Sequence, residues 1–427
     1  VIARRLYRLA LWLVFPLIWL YLLKRSQKQP AYRNFWLERL GYYSLAMQQK
    51  FIQSNTSIKP IWLHAVSVGE MRASAPVIAA LRQQYPTRSF LLTCMTPTGR
   101  ETAQELFGDF ATIVFLPYDY PSAIRRFLRT FKPQCGVVME TEIWPSLIHE
   151  CADAGVPLVL ANARLSEKSY LGYRKALCLI RPAMARWTQV LAQSPADAER
   201  LALLGAITPQ VMGSVKFDNQ PDEAQIELGQ RWRAKFGARA TVLLASSRDG
   251  EEAELLAQWS TLFPQNAPLL IIVPRHPQRF DVVASLIENS GLHLLRRSQW
   301  QDDSLVDADV LLGDSMGEMT AWFSCADITI MGGSLLPFGS QNFIEACAVG
   351  CPVLLGTHTY NFAAASEAAI AAGAAWQAPN LAELWPEIPR LLSDSSRQQQ
   401  MRTAGKTFAQ AHRGATDLLV KSLGIYL

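Results

Sequence analysis

The stretch Ile61 to Ala73, IWLHAVSVGEMRA, decides how the chain is read. An apolar run ends in a loop holding Ser67, Gly69 and Glu70, and a helix-like pattern then continues to Leu81, so the order is strand, tight turn, helix. In open α/β folds that junction is where ligands meet the chain. Ser67-x-x-Glu70 fits a capping box, in which hydroxyl and carboxylate each accept a bond from the other's backbone N–H. The same carboxylate, at the carboxyl end of a strand, also stands where a ligand would be handled, and spacing alone does not separate the two roles. A first-turn position favours the ionised form, which makes Glu70 available as a base but a weak one.

Downstream of this stretch, short β-branched runs alternate with helix-length amphipathic stretches, the signature of parallel sheets covered by helices. Strands are expected at Ile61–Ala65, Ser89–Thr93, Thr112–Leu116, Gly136–Met139, Leu158–Ala161, Val190–Gln193 and Val211–Met212. Gly213 to Ala224, GSVKFDNQPDEA, breaks the pattern and reads as a hinge. The alternation then resumes with Thr241–Ala245, Leu269–Val273, Leu292–Leu295, Val310–Leu312, Ile328–Met331 and Val353–Leu355. The 427 residues therefore divide into an N-terminal segment 1–30 and two Rossmann-like domains, 31–215 and 216–427. Two such units with a cleft between them make an α/β, GT-B type architecture, which glycosyltransferases share with some epimerases and tandem binding proteins. Fold alone does not choose among these.

Upstream, charge and hydropathy change together. Residues 1–60 carry ten Lys or Arg against one acid, Glu38, for a net +9, whereas the whole chain has a net charge of +5. A basic front on a mildly acidic body points to an anionic surface touched by one end rather than to nucleic acid gripped throughout. Leu9 to Leu23, LALWLVFPLIWLYLL, is uncharged but as a helix would cover only roughly 22 Å of a ~30 Å hydrocarbon core. No small-x-small cleavage site follows it, and Trp12, Trp19, Tyr21 and flanking cations favour a membrane anchor over a cleaved signal or a buried core helix. The seven cysteines lie mostly in apolar runs without framework spacing, which suits a reducing compartment.

Several constellations carry chemistry. Ser315-Met-Gly-Glu318 and Asn342-Phe-Ile-Glu345 repeat the cap-and-carboxylate arrangement of Ser67–Glu70. As caps they are cheap to satisfy; as function, free N–H groups at such starts bind anions, and a carboxylate one turn in accepts ribose hydroxyls. Gly332, Gly333, Ser334 and Gly339 lie between a strand and the helix that Asn342 would cap, a glycine pattern that admits a phosphate but lacks G-x-G-x-x-G. Arg275 and His276 follow the buried strand LLIIV, where a guanidinium suits a phosphate and a surface turn is the alternative. Glu140 and Glu142 end the strand GVVM, as an acid/base pair or as a helix-dipole complement. Lys216, at the hinge, is placed to meet developing negative charge or simply to solubilise. Asp307-Ala308-Asp309 precedes a strand and reads as a turn, and no Cys/His array is present, so no metal is expected.

Taken in order, HAVSVGE (64–70), TPTG (96–99), LPYD (116–119), ETEIWP (140–145), NARLS (162–166), KFD (216–218), PRHP (274–277), LGDSMGE (312–318) and PVLLGTHTYNF (352–362) resemble, over nearly the whole chain, the Kdo (3-deoxy-D-manno-octulosonic acid) transferases of lipopolysaccharide biosynthesis. The resemblance implies a GT-B enzyme anchored on the cytoplasmic side of the inner membrane, against its anionic lipids. It would move Kdo from CMP-Kdo to the tetraacyl lipid A precursor with inversion, without cofactor, metal or nucleic acid. The family's proton acceptor falls on Glu70, its transition-state stabilisers on Glu140 and Lys216, and its CMP contacts on Arg275, His276, Gly317, Glu318, Met319, Asn342, Phe343, Ile344 and Glu345. Where many members read GGHNPLEP this chain reads FGSQNFIEAC at 338–347, keeping Asn342 and Glu345 but losing Gly-His and the closing Pro, and GSVKFD replaces GNLKFD. Those departures leave the CMP contacts in place and leave the shape of the sugar pocket open. Two rival readings accompany this one: a transferase or epimerase acting on a UDP-linked sugar, and a non-catalytic two-lobed binding protein.

Overall fold

The computed structural model describes residues 2–54, 58–301 and 304–427. The chain forms two compact units, one comprising residues up to Asp218 together with Arg413–Leu427, the other Asn219–His412. In the first, strands β1 (Ile61–His64), β2 (Phe90–Cys94), β3 (Ala111–Phe115), β4 (Cys135–Met139), β5 (Leu158–Ala163), β6 (Gln189–Ala192) and β7 (Gln210–Val211) form one parallel sheet in the order β3-β2-β1-β4-β5-β6-β7. All four residues of β1 are buried, as a strand covered by helices on both faces requires. Alternation sends Trp62, Leu91, Val138 and Leu160 into one core cluster and Ile61, Leu63, Leu92, Val137 and Val159 into the other.

The second unit repeats the plan with β8 (Thr241–Ser247), β9 (Leu269–Pro274), β10 (Leu294–Arg296), β11 (Val310–Leu312), β12 (Ile328–Met331), β13 (Val353–Leu355) and β14 (Ala375–Gln377), ordered β10-β11-β9-β8-β12-β13-β14. The two Rossmann-like sheets expected from the alternation are thus present, with edges shifted by a residue or two. Strand β14 escapes the pattern because it is three residues long and only Ala375 is buried.

Three expectations are corrected. The helix read as continuous to Leu81 is two, Val68–Ala73 and Ala75–Gln84. Pro76 has no N–H to return to the first of them, and Ser74 Oγ turns back to the Met71 carbonyl instead, at 2.7 Å. The second domain does not run from 216 to the end of the chain. Residues 216–218 belong to the first unit, and the helix Ala415–Leu423 returns to it, burying Ala415, Leu419, Val420 and Leu423 in the cluster of Ile61 and Leu63. Asp218 fastens that return, accepting from the backbone N–H groups of Gly414 (2.7 Å) and Thr416 (2.6 Å). Finally, the apolar run Leu9–Leu23 is only the middle of a 27-residue helix, Ile2–Lys28, which spans roughly 40 Å and carries Pro16 inside it. Ile2–Gln27 is long and apolar enough to cross a bilayer, and only 6% of its most apolar window is buried, so it is no core helix.

Candidate active site

In the first unit, strand order reverses between β1 and β4, and the loops leaving those two strands diverge there. A crevice at such a reversal is where this class of sheet binds ligands. Glu70 lies in the first turn of the helix that follows β1, and Glu140 and Glu142 in the loop after β4.

Glu70 is held by two bonds. Its Oε2 accepts from the Val66 N–H at 2.7 Å and its Oε1 from the Ser67 hydroxyl at 3.1 Å, while Ser67 Oγ lies 3.5 Å from the Glu70 N–H it caps. The box is therefore displaced by one residue, because the carboxylate reaches Val66 rather than Ser67. Its charge is also not what a first-turn position suggests. Burial, then the neighbouring charge of Glu140, raise the Glu70 pKa to about 7 against the opposing Val66 bond. The helix behind it has six residues, too few for a strong dipole, so burial wins and Glu70 is a stronger base than expected.

Glu140 takes the left-handed conformation, φ +59°, at the end of β4, its N–H bonded to the Ala161 carbonyl at 2.9 Å. A non-glycine residue held there stores about 1 kcal/mol or more and marks a position fixed by its surroundings. Lys216 Nζ lies 3.3 Å from Glu140 Oε1. Lys216 is positioned in turn by Asn162, itself at φ +54° at the end of β5, whose Oδ1 accepts from the Val215 N–H at 3.2 Å. Glu142 accepts from the indole N–H of Trp144 at 2.6 Å, yet burial carries its pKa to about 7, with Glu140 adding to the rise. Glu70, Glu140, Glu142 and Lys216 thus form one electrostatic group, with one cation set against three acids.

Ser67 separates positioning from capping. In Ser67→Ala, loss of the cap should cost about 1 kcal/mol, read as a lowered melting temperature. Loss of the bond to the carboxylate should also move the acid limb of the pH–rate profile upward, because that bond holds the Glu70 pKa down. A melting shift with an unmoved limb would make Ser67 a cap only.

In the second unit the reversal lies between β8 and β12. The end of β8 and the loop after β12 approach so closely that a Cβ on Gly332 would sit 2.4 Å from the Ser246 carbonyl oxygen. Ser246 is itself left-handed at φ +53°, and its hydroxyl lies 3.9 Å from the Met319 sulfur. Arg275 Nε donates to Gln341 Oε1 at 3.2 Å, next to Asn342, whose Nδ2 donates to Glu345 Oε1 at 2.7 Å. His276 Nε2 is 3.3 Å from Arg248 Nη1, and burial, with Arg248, Arg275 and Arg279 nearby, lowers its pKa. Gly317 sits in open space at φ +83°.

Two cap expectations change here. Ser315 donates its hydroxyl to the Glu318 carboxylate instead of accepting the Glu318 N–H, and the carboxylate also accepts from Arg297 at 3.1 Å, so the helix begins later, at Met319. The next helix begins at Ile344, with Asn342 Oδ1 accepting the Ile344 N–H at 3.3 Å. Phe343 and Ile344 are 0% and 2% exposed, so their side chains serve the core, and only backbone at those positions is left for a ligand.

Two residues of this edge escaped the sequence reading. Arg248 leaves the end of β8 and lies over the Phe338 ring at 4.6 Å, beside His276. Glu251, fully buried, accepts from the N–H groups of Arg248 (2.8 Å), Gly333 (2.7 Å), Leu335 (3.0 Å) and Leu336 (3.3 Å), and so ties the two loops together. The one signal was GEEAE at 250–254, which reads as an ordinary acidic first turn. Among the described residues no group of three or more His, Cys, Asp or Glu is arranged to hold a metal ion.

The family model for 3-deoxy-D-manno-octulosonic-acid transferase (kdotransferase) matches residues 34–219. The chain is 39% identical to a 3-deoxy-D-manno-octulosonic acid transferase of Bordetella pertussis over 99% of both chains. It is 33% identical to the protein of that name from Haemophilus influenzae over 96% of both. Among solved structures, a UDP-GlcNAc 2-epimerase from Neisseria meningitidis bound to UDP-GlcNAc aligns with a TM-score of 0.58 and 14% identity, over 86% of this chain and 99% of that one. This last likeness concerns the fold alone.

Proposed function

The chain belongs to the 3-deoxy-D-manno-octulosonic acid transferase family and is a glycosyltransferase, and from that premise we propose that it moves Kdo from CMP-Kdo onto the tetraacyl disaccharide precursor of lipid A, with inversion, at the cytoplasmic face of the inner membrane. Membership of an enzyme family excludes a non-catalytic binding protein. The observation that carries the proposal is the half-buried Glu70 carboxylate, raised to about 7 beside the Glu140–Lys216 pair at the strand-order reversal. A base of that pKa accepts a hydroxyl proton at neutral pH better than an exposed glutamate does.

In this reading the acceptor hydroxyl attacks the anomeric carbon of Kdo and its proton passes to Glu70. The bond from that carbon to the CMP phosphate oxygen breaks with its electron pair, so CMP leaves as the anion. Lys216, held by Glu140 and by the Asn162-fixed turn, supplies positive charge where negative charge develops. On the donor side Arg275, with Arg248 and His276 beside it, suits the phosphate. The backbone around Gly317–Met319 and the Asn342–Glu345 pair suit the nucleoside.

The mass of the lipid product tests donor, acceptor and number of transfers together. Incubation with CMP-Kdo and the tetraacyl precursor should add one or more Kdo masses, and folded protein that adds none sinks the proposal. The UDP-sugar reading rests on likeness of fold alone. It predicts thermal stabilisation by UDP and none by CMP, the reverse of what is expected here.

A further inference from the structure

The helix Ile2–Lys28 has two faces, and they behave oppositely. On one, Arg4 and Arg8 each place Nη2 3.3 Å from Glu150 Oε1, and that carboxylate is only 6% exposed. One turn on, the Tyr7 hydroxyl donates to Asp119 Oδ2 at 2.8 Å. Tyr120 then donates to the Leu11 carbonyl at 2.7 Å and packs its ring on Trp12 and Phe15 at 5.2 and 5.8 Å. Trp19 meets Trp36 at 4.4 Å, Leu22 is buried, and buried Ser26 accepts from Arg33 at 3.0 Å. Residues 4, 8, 11, 15, 19, 22 and 26 therefore make one stripe, in contact with the first unit at every turn over roughly 33 Å.

The other stripe is 6, 9, 13, 17 and 20: Leu6, Leu9, Leu13, Leu17 and Leu20, all exposed, Leu13 at 70%, with Ile2 outside it at the start of the helix. Phe35 and Leu37, which flank the Trp36 packed on Trp19, add further exposed apolar side chains beside its far half. Exposed cations stand at both ends of the stripe, Arg5 at one and Lys24, Arg25 and Arg33 at the other. Apolar side chains in a row between cations fit an anionic lipid surface.

We infer that this helix lies in the plane of the membrane, clasped to the first unit along its length by Glu150, Asp119 and Tyr120, and does not cross the bilayer. The inference rests on the membrane location proposed above and specifies its geometry. A crossing helix must either leave the unit or carry it into hydrocarbon. Leaving strips buried Glu150 of two of its three arginines, Arg125 at 3.7 Å being the third, and takes from Asp119 its tyrosine. Remaining attached would drag Glu150, with Asp153 paired to Arg186 at 2.7 Å, towards the bilayer interior. Lying flat incurs neither cost. Asp119 also accepts from the N–H groups of Ser146 and Leu147, at 2.9 and 2.7 Å, in the helix that follows the Glu140–Trp144 loop. The clasp thus ties the carboxylate-bearing edge of the sheet to the membrane surface, where a lipid acceptor lies.

Topology decides it. With Cys178, the exposed cysteine among otherwise buried ones, replaced by Ser, single cysteines are introduced as Ile2→Cys, Leu13→Cys and Gln27→Cys and probed with a membrane-impermeant maleimide. Ile2→Cys and Gln27→Cys should label in inside-out inner-membrane vesicles and not in right-side-out spheroplasts, and Leu13→Cys in neither until detergent is added. Labelling of Ile2→Cys from the outer side, free labelling of Leu13→Cys in vesicles, or recovery of the chain as a soluble dimer would each overturn the inference. Kdo transfer measured on the same samples keeps the two ideas apart. Outside labelling with transfer intact sinks only the in-plane helix; the expected labelling without transfer sinks only the transferase reading.

Discussion

Glu70→Gln should reduce Kdo transfer by roughly 10²–10⁴-fold while CMP still stabilises the protein as in the wild type. The substitution is close to silent in structure. Glutamine keeps an oxygen for the Val66 N–H and offers its amide to the Ser67 hydroxyl, so the two anchoring bonds survive in altered polarity. What disappears is the proton acceptor. The wild-type rate should fall about tenfold per pH unit below the Glu70 pKa of about 7, and that acid limb should be absent from the residual activity of the variant.

Stability supplies an independent reading with a defined sign. A carboxyl group whose folded pKa lies above its ordinary 4.5 binds its proton more tightly in the native state. It therefore supports folding below about pH 4.5, and that contribution is lost as pH rises to about 7, where the half-buried group must ionise. Glu70→Gln never ionises, so its melting temperature should gain on the wild type between pH 5 and pH 8. A variant with near-normal turnover would remove Glu70 from the chemistry, and one with a constant melting difference across that range would remove the raised pKa.

Which parts of this were legible in the sequence follows from how far apart the partners lie. The β1 junction, the ETEIWP loop and the PRHP edge are local: strand, turn and carboxylate or guanidinium fall within about ten residues, and hydropathy period shows them. The same holds for the two Rossmann-like sheets, since buried parallel strands are near-continuous apolar runs. What stayed hidden is built across distance. Glu251 reads as a first-turn acid, and nothing nearby announces that it accepts the N–H of Gly333, 82 positions on. Asp218 of the KFD motif reads as hinge polarity, and its partners are Gly414 and Thr416. The Glu70 pKa belongs to the same class. A one-dimensional reading sees a helix N-terminus and infers an ionised acid, whereas burial and Glu140, brought in from another strand, reverse the direction. Phe343 and Ile344 show the converse, since family position marks them as ligand contacts while apolar character places them in the core.

Lys216 and Glu140 should behave as one device rather than as two residues. Removing the cation in Lys216→Met is expected to cost roughly 10²–10³-fold in kcat, the scale of losing one preorganised group that meets developing charge. It also leaves Glu140 in its left-handed conformation without the ammonium group 3.3 Å away. Glu140→Gln should be costly as well, and the double variant should lose far less than the product of the two single losses, because each residue acts through their contact. The pH profile then distinguishes this from mere structural support. Glu140 is the second cause of the raised Glu70 pKa, after burial, so Glu140→Gln should move the acid limb of the residual activity to lower pH. Asn162→Ala, which frees the Val215 N–H and loosens the turn bearing Lys216, should lower kcat without moving that limb. If the losses simply multiply, or if the limb stays where it was in Glu140→Gln, the pair is not coupled to the base and Glu140 serves only the backbone at the end of β4.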